Sequence, residues 1–266
     1  MKWLNAEAFM PANRIVILAG NHCSTTMIYN AVRRDFPIRR VIIEDAVPRR
    51  QFLLRRIKRL GALAVIGQVL FRLLIVPYLS LKSRPRIQQI TQQFGLDQTE
   101  IDETIITRVD SANSEQTESV LRELEPDVVI VNGTRIVAER ILNCIRAPFI
   151  NMHAGITPRY RGVHGAYWAL VEGNNDGCGV TIHVLDSGID TGKVLKQAVI
   201  TPTAADNFVT YSLLQVGVGI PILKSVLADG SERLSETKPK WPTQSKLWSH
   251  PTLFNYIYHR VAAGVK

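Results

Sequence analysis

The chain predicts an α/β fold built on an open, mostly parallel sheet with helices on both faces, and three observations carry that expectation. Residues 14–20 (RIVILAG), 38–44 (IRRVIIE) and 127–131 (DVVIV) are short apolar runs, and near-continuous runs of this kind mark strands buried on both faces. They alternate with helical stretches at 115–124 and 137–144, the order of a sheet whose connections cross over through helices. The first run ends at Gly20-Asn21, and Ser24-Thr25-Thr26 then offers hydroxyl caps for a helix through Tyr29, Ala31 and Val32.

Later elements follow the same logic. Residues 148–152 (PFINM) supply a further strand, while 179–185 (GVTIHVL) and 193–200 (KVLKQAVI) alternate more openly and read as a late strand pair with Gly188 and Gly192 between them. Residues 207–227 form a long helical stretch, expected to kink or break near Pro221 because proline removes a helical donor. A Pro-, Lys- and Ser-rich stretch at 235–246 reads as surface coil. The expected division is a core over 1–204, interrupted by a basic and apolar insertion at about 47–90, and a C-terminal helix and tail over 205–266 packed on that core. No internal repeat is evident.

With 46% hydrophobic and 21% charged residues in 266 positions, the chain suits one globular domain of ordinary composition. A formal charge of +9 favours anionic partners such as phosphate esters, nucleic acid or acidic lipid, without choosing among them. Cys23, Cys144 and Cys178 are widely spaced with no CxxC pair, which suggests neither a disulfide framework nor a metal site. Cys23 reads as a partly buried helix-start residue. The opening residues lack the pattern of a secretory signal, so a cytoplasmic location is expected.

The most informative stretch is FINMHAGITPRYRG at 149–162. Asn151 and His153 are two apart at a strand end, so both side chains point to the same side of the sheet. Histidine exchanges a proton near neutral pH, and a carboxamide donates to a developing oxyanion without acting as a base. Asp190, in the turn DSGIDTG, is positioned to orient His153, stabilise its charged form and accept a proton through water. Taken alone, Asn-x-His reads first as a strand end satisfying local hydrogen bonds, and the surrounding motif reverses that reading.

The ordered series DVVIVNGTRIV, FINMHAGITPRYRG, a helix opening near His164-Gly165-Ala166, and GVTIHVLDSGIDTGKVL resembles the formyltransferase family. That family includes glycinamide ribonucleotide formyltransferase, methionyl-tRNA formyltransferase and the amino-sugar N-formyltransferases. The resemblance is strong over about 127–200 and weak over 14–43. It implies a Rossmann-like core, 10-formyltetrahydrofolate as formyl donor, and catalytic roles for Asn151, His153 and Asp190. It also implies that the pterin end of the donor lies against backbone at Arg135, Ile136 and Val137 and at Leu185, Asp186, Ser187, Gly188 and Ile189.

The loop Gly20-Asn21-His22-Cys23-Ser24 stands where the glycinamide ribonucleotide enzyme carries a Gly- and Ser-rich phosphate loop, and its His22 and Cys23 depart from that pattern. The loop does not spell GxGxxG, which argues against a nicotinamide cofactor. The expected reaction is formyl transfer to a primary amine, with a nucleotide-linked amino sugar as the leading acceptor. Methionyl-tRNA or glycinamide ribonucleotide formylation, formyltetrahydrofolate hydrolysis and noncatalytic binding are the alternatives. Nucleic acid is not an expected partner, because solvated lysines explain the basic tail equally well.

The insertion opens with Arg49, Arg50, Arg55, Arg56, Lys58 and Arg59 and then turns apolar from 60 to 79, interrupted by Gln68, Arg72 and Pro77. Three readings fit. The run barely reaches a spanning helix's length and contains a charge. It also suits a helix lying on the inner membrane surface through about 49–80, with arginines at anionic headgroups. The plainest reading is a helix pair buried against the core or a subunit partner in a homodimer, with an exposed arginine edge.

Overall fold

β1 (Ile15–Gly20) buries all six of its residues, as a strand covered on both faces must. A computed structural model describes residues 13–229 and 244–266 and sets β1 inside a seven-stranded sheet of order β3-β2-β1-β4-β5-β7-β8. α1 (Cys23–Val32) leads to β2 (Ile38–Glu44), and four helices follow: α2 (Arg49–Leu60), α3 (Ala62–Leu70), α4 (Val76–Lys82) and α5 (Arg84–Phe94). The chain then returns through β3 (Ile106–Val109), α6 (Glu115–Leu124), β4 (Val128–Asn132), α7 (Glu139–Leu142) and β5 (Phe149–His153). β1 to β5 pair in parallel.

After β5 come β6 (Arg161–Gly162), α8 (Gly165–Val171), β7 (Gly179–Val184) and β8 (Val194–Val199). β7 runs antiparallel to both β5 and β8. The sheet is therefore open, mostly parallel and Rossmann-like.

Alternation along the strands sorts the core. Ile15 and Ile17 of β1 pack with Met27, Ile28 and Val32 of α1 and with Ile220, Leu223 and Val226 of α9 (Phe208–Ala228). Val16 and Leu18 pack on the opposite face with Leu121 of α6 and Ile141 of α7. Because β2 and β3 extend one way from β1 while β4 and β5 extend the other, a crevice opens beyond the carboxyl ends of β1 and β4.

Several expectations change. α1 is entered through His22, in extended conformation and without a side-chain cap. Thr25 Oγ1 instead donates to the Gly20 carbonyl at 2.8 Å and receives Asn132 Nδ2 at 2.9 Å, so the hydroxyls brace the strand-end turn. Cys23 is exposed rather than partly buried. The helix read at 137–144 shrinks to α7, because Val137 is buried in the core and Ala138 is extended. Pro221 lies inside an unbroken α9: the lost donor is tolerated where Ile220 and Leu223 on either side are packed into the core. β3 was missed because ITRV is short and only its last residue is buried. Most of the coil expected at 235–246 lies outside the described residues.

The inserted helices bury one stripe, Val65, Phe71, Leu79 and Ile90, and Phe71, Leu79 and Ile90 join a second core cluster with Phe208 and Tyr256. A π-helical turn, Phe71–Ile75, joins α3 to α4. Ala62–Lys82 is long and apolar enough to cross a membrane by length and composition, as is Phe208–Ala228, whose helix forms the core described above. The last elements are β9 (Leu247–Trp248) and α10 (Leu253–Ala262). β9 pairs in parallel with β6, and α10 packs on α3.

Candidate active site

In the antiparallel register of β5 and β7, Asn151 lies opposite His183 and His153 opposite Thr181. Ile150, Met152, Val180 and Ile182 point into the core, so alternation sends Asn151, His153, Thr181 and His183 to the other face together. Asn151 Nδ2 donates to His183 Nε2 at 3.2 Å, while His183 Nδ1 donates to the Val184 carbonyl at 2.9 Å. His183 Nε2 also stands 3.7 Å from Asp190 Oδ1.

His153 is 6% exposed. Its Nε2 donates to the Tyr160 carbonyl at 2.8 Å, and its Nδ1 stands 3.3 Å from Asp190 Oδ1. A neutral ring so held would turn a lone pair towards the carboxylate, so this geometry favours the doubly protonated form. Burial works against it and draws the His153 pKa below 6.5, with Asp190 and the Tyr160 carbonyl pulling back. Burial alone would lift the Asp190 pKa, but His153, His183 and the Gly162 N–H outweigh it and hold the carboxyl at about 2. The pair is a fixed anion beside a ring whose charge is finely opposed.

The loops explain how these groups meet. A Cβ on Gly155 would come 2.9 Å from His153 Nε2, so glycine there is what lets the ring reach the Tyr160 carbonyl. Thr181 Oγ1 donates to the Gly155 carbonyl at 2.7 Å and accepts from Thr157 N at 3.1 Å, bracing the same loop. Asp190 adopts a left-handed backbone, φ 51°, a conformation tolerated by Asp. Gly162 N donates to its Oδ2 at 2.8 Å and Arg161 Nη1 to the Ile189 carbonyl at 3.0 Å. β6 is in turn held by β9, through Arg161 N to the Lys246 carbonyl at 3.1 Å and Val163 N to the Trp248 carbonyl at 3.3 Å.

A cleft of about 220 Å³ lies at the amino end of β5, lined by Leu142, Asn143, Phe149, Leu185, Asp186 and Ser187 among others, with none of Asn151, His153, His183 and Asp190 in its wall. Phe149 is two residues before Asn151 on the same strand face, about 7 Å along it. Of the residues expected at the donor, Leu185, Asp186 and Ser187 line the cleft, whereas Arg135, Ile136, Val137, Gly188 and Ile189 do not. Arg135 N–H and Nε donate to buried Glu44 at 2.5 and 2.6 Å, and Nη2 donates to the Asp45 and Asp110 carbonyls. Ile136 is exposed and Val137 buried in the core. Asp186 closes its own turn by accepting from Gly188 N and Thr191 Oγ1.

In the first loop, His22 Nε2 lies 3.3 Å from the Gly133 carbonyl, with its ring where a Gly133 side chain would stand. Among the described residues, no three His, Cys, Asp or Glu side chains are grouped to hold a metal ion.

Sequence reasoning missed His183. Its signal was present in GVTIHVL: a lone histidine in an apolar strand, at the parity of Thr181 and two residues before the loop that carries Asp190.

The family model for formyl transferase matches residues 76–213, just over half of the 266, and runs through β5, β7 and the Asp190 turn. Among relatives, methionyl-tRNA formyltransferase of Thermosynechococcus vestitus is 36% identical over 113 residues, 42% of this chain and 34% of that protein. The protein of that name from Caldanaerobacter subterraneus is 32% identical over 108 residues, 40% of this chain and 35% of that protein. The chain thus spans about a third of the length of these relatives.

Solved structures share the fold. A sugar N-formyltransferase from Shewanella sp FDAARGOS_354 superposes with TM-score 0.55 at 14% identity, over 88% of this chain and 75% of that one. Phosphoribosylglycinamide formyltransferase from Streptococcus pneumoniae TIGR4 gives 0.50 at 21% identity, over 81% and 97%. With the family model spanning the strand ends that carry Asn151, His153 and Asp190, this chain belongs to the formyl transferase family.

Proposed function

We propose that the chain moves a formyl group from 10-formyltetrahydrofolate to a primary amine, and that the amine belongs to a nucleotide-linked amino sugar. The observation that carries the reaction is the meeting of Asn151, His153, His183 and Asp190 at the ends of β5 and β7, within the part of the chain that matches the family. The donor is a substrate consumed at each turnover. The cleft at the amino end of β5, about 220 Å³, is smaller than the ~300–1,000 Å³ of a whole small-molecule site and suits one end of it, the flat pterin ring. Apolar Leu142 and Phe149 would flank the ring's faces while the backbone of 185–187 meets its polar edge.

The amine nitrogen attacks the formyl carbon and a C–N bond forms. The carbonyl oxygen gains the electron pair and is sheltered by the Asn151 carboxamide and by His153 in its charged form, donors set in place before charge develops. Asp190, ionised beside His153, takes the proton lost by the attacking amine through water. The bond from formyl carbon to the donor nitrogen breaks, and that nitrogen leaves as tetrahydrofolate after accepting a proton. Holding amine and formyl carbon in register supplies part of the acceleration, a term reaching about 7–11 kcal/mol in favourable intramolecular cases.

For the acceptor, sugar N-formyltransferases are among the proteins sharing the fold. The first loop, with His22 turned onto Gly133, departs from a Gly- and Ser-rich phosphate loop. We place the enzyme in the cytoplasm, with the 49–80 helices at the inner membrane surface. Supplying formyl-labelled donor with nucleotide-linked amino sugars, glycinamide ribonucleotide and methionyl-tRNA tests the reading: label should pass to the amino sugar. Label on the tRNA or the ribonucleotide would replace the acceptor, and release as formate would make the enzyme a hydrolase.

A further inference from the structure

Residues 46–96 contain ten of the chain's 32 lysines and arginines and none of its 23 acids. The remaining residues therefore hold 22 cations against 23 acids, and the whole net charge of +9 resides in this one segment. The same segment carries much of the exposed apolar surface: Leu63 is 87% exposed, Leu73 65% and Leu81 60%. α10, packed on α3 where Thr252 meets Gly67, extends that surface with Phe254 at 72% and Val261 at 82%. Single exposed apolar residues are ordinary, but a continuous set on adjoining helices marks a surface with a partner.

Beneath this surface is a cavity of about 670 Å³, in the range of about 300–1,000 Å³ typical of small-molecule sites. Its walls are apolar, including Val65, Val69, Phe71 and Val76, and its polar lining is cationic or neutral, with Arg56, Arg72, Gln68, His164 and His250. Arg56 Nη2 donates to Gln68 Oε1 at 2.6 Å, and Gln68 Nε2 donates to the His250 carbonyl at 2.8 Å, which ties the guanidinium to the cavity wall. His164 Nε2 and His250 Nδ1 lie 2.9 Å apart at its inner end. Burial, then repulsion from Arg59 and Arg72, lowers the Arg56 pKa, and an anion in this space would offset that repulsion.

We infer that this cavity binds an anionic amphiphile, a phosphate ester borne on a hydrocarbon chain, with Arg56 and Arg72 meeting the phosphate and the apolar helices meeting the lipid surface that supplies it. A free phosphate accounts for the arginines but not for the apolar walls or for the exposed leucines outside them. A second copy of the chain would bring an identical cluster of cations against this one, and like charges repel. The site adjoins the reacting groups: Gly165 N, next to His164, donates to the Ala154 carbonyl one residue beyond His153. The binding does not depend on the formyl-transfer reading and is tested without activity.

The experiment titrates the full chain with monomeric dodecyl phosphate, inorganic phosphate and dodecyltrimethylammonium by calorimetry. It adds flotation with phosphatidylcholine vesicles with and without phosphatidic acid. Dodecyl phosphate should bind at one per chain, and Arg56→Gln and Arg72→Gln should each weaken it about tenfold or more, the loss of a charge-assisted bond. Val69→Trp, at the exposed rim, should block binding with both arginines intact. Flotation should require phosphatidic acid. Equal affinity for the cationic amphiphile, tight binding of inorganic phosphate, or unchanged affinity in folded variants would each overturn the assignment. So would a dimer that hides this face and abolishes flotation.

Discussion

The strand-end site and the inserted helices are opposites in how they treat polarity. At the ends of β5 and β7 the reacting side chains are answered: Asn151 by His183, His153 by Tyr160 and Asp190, Asp190 by Gly162. In the 49–94 helices the balance differs: ten cations lie with no acid in the same segment, Arg86 reaches Asp206 of a distant segment at 2.8 Å, and leucines are left in water. The first arrangement is complete within the chain and specifies chemistry. The second leaves apolar surface exposed, which is the ground for the amphiphile proposed above. Burying a polar group without an answer costs free energy, so the closed network reports what the site does with its own atoms, while the open surface reports what it awaits.

The largest effect that would break this contrast is at the site itself. His153→Ala should lower kcat by about 10²- to 10⁴-fold, the usual contribution of a positioned acid-base group, in protein whose circular dichroism shows the fold retained. A rate near that of the parent protein would reduce the network to a structural one.

The second effect lies where the two regions touch. Burial, then the partner His250 together with Arg56 and Arg72, holds His164 at about 3, and burial followed by the same arginines holds His250 at about 4, against 6.5 when free. Between pH 6.5 and 4 the unfolded chain therefore binds protons that the folded chain refuses, so stability falls as pH drops through that window. The limiting slope is about 1.4 kcal/mol per proton per pH unit. Asp190, held at about 2 against 3.8, adds a loss only below that window. Thermal midpoints across the range should fall steeply for the parent protein and more gently for His164→Gln with His250→Gln; parallel curves would contradict this.

A smaller effect tests the brace between them. Gly162 has φ 91°, and an added Cβ there would run into the Trp248 carbonyl. Gly162→Ala should cost about 1–3 kcal/mol of stability and slow transfer by loosening Asp190. The smallest effect separates surface from core: Leu63→Ser, at 87% exposure, should change stability by no more than about 0.5 kcal/mol while reducing vesicle flotation.

What could be read from the residues follows the same division. RIVILAG, DVVIV and FINMH announce buried strands because both faces are covered, and the two-residue spacing of Asn151 and His153 fixes their shared side whatever the tertiary detail. His183 escaped notice because cross-strand register decides its partner, and register is not local. β6 and β9 were illegible for the same reason: their pairing joins residues 161 and 247, and its role is to carry Gly162 to Asp190. The Arg135 side chain pairs with buried Glu44, a contact that the approach of β2 makes and that the local sequence does not show. In the insertion, composition gave the charge and the apolar run, while the packing that divides buried Phe71 from exposed Leu73 depends on α9 and α10.

The most direct measurement is single-turnover formyl transfer by Asn151→Ala and by Asp190→Ala, with folding verified by thermal midpoint and circular dichroism. Transfer suppressed by at least about 10²-fold in both folded variants is the expected result. Near-parental single-turnover rates in both would contradict the account of formyl transfer at the ends of β5 and β7.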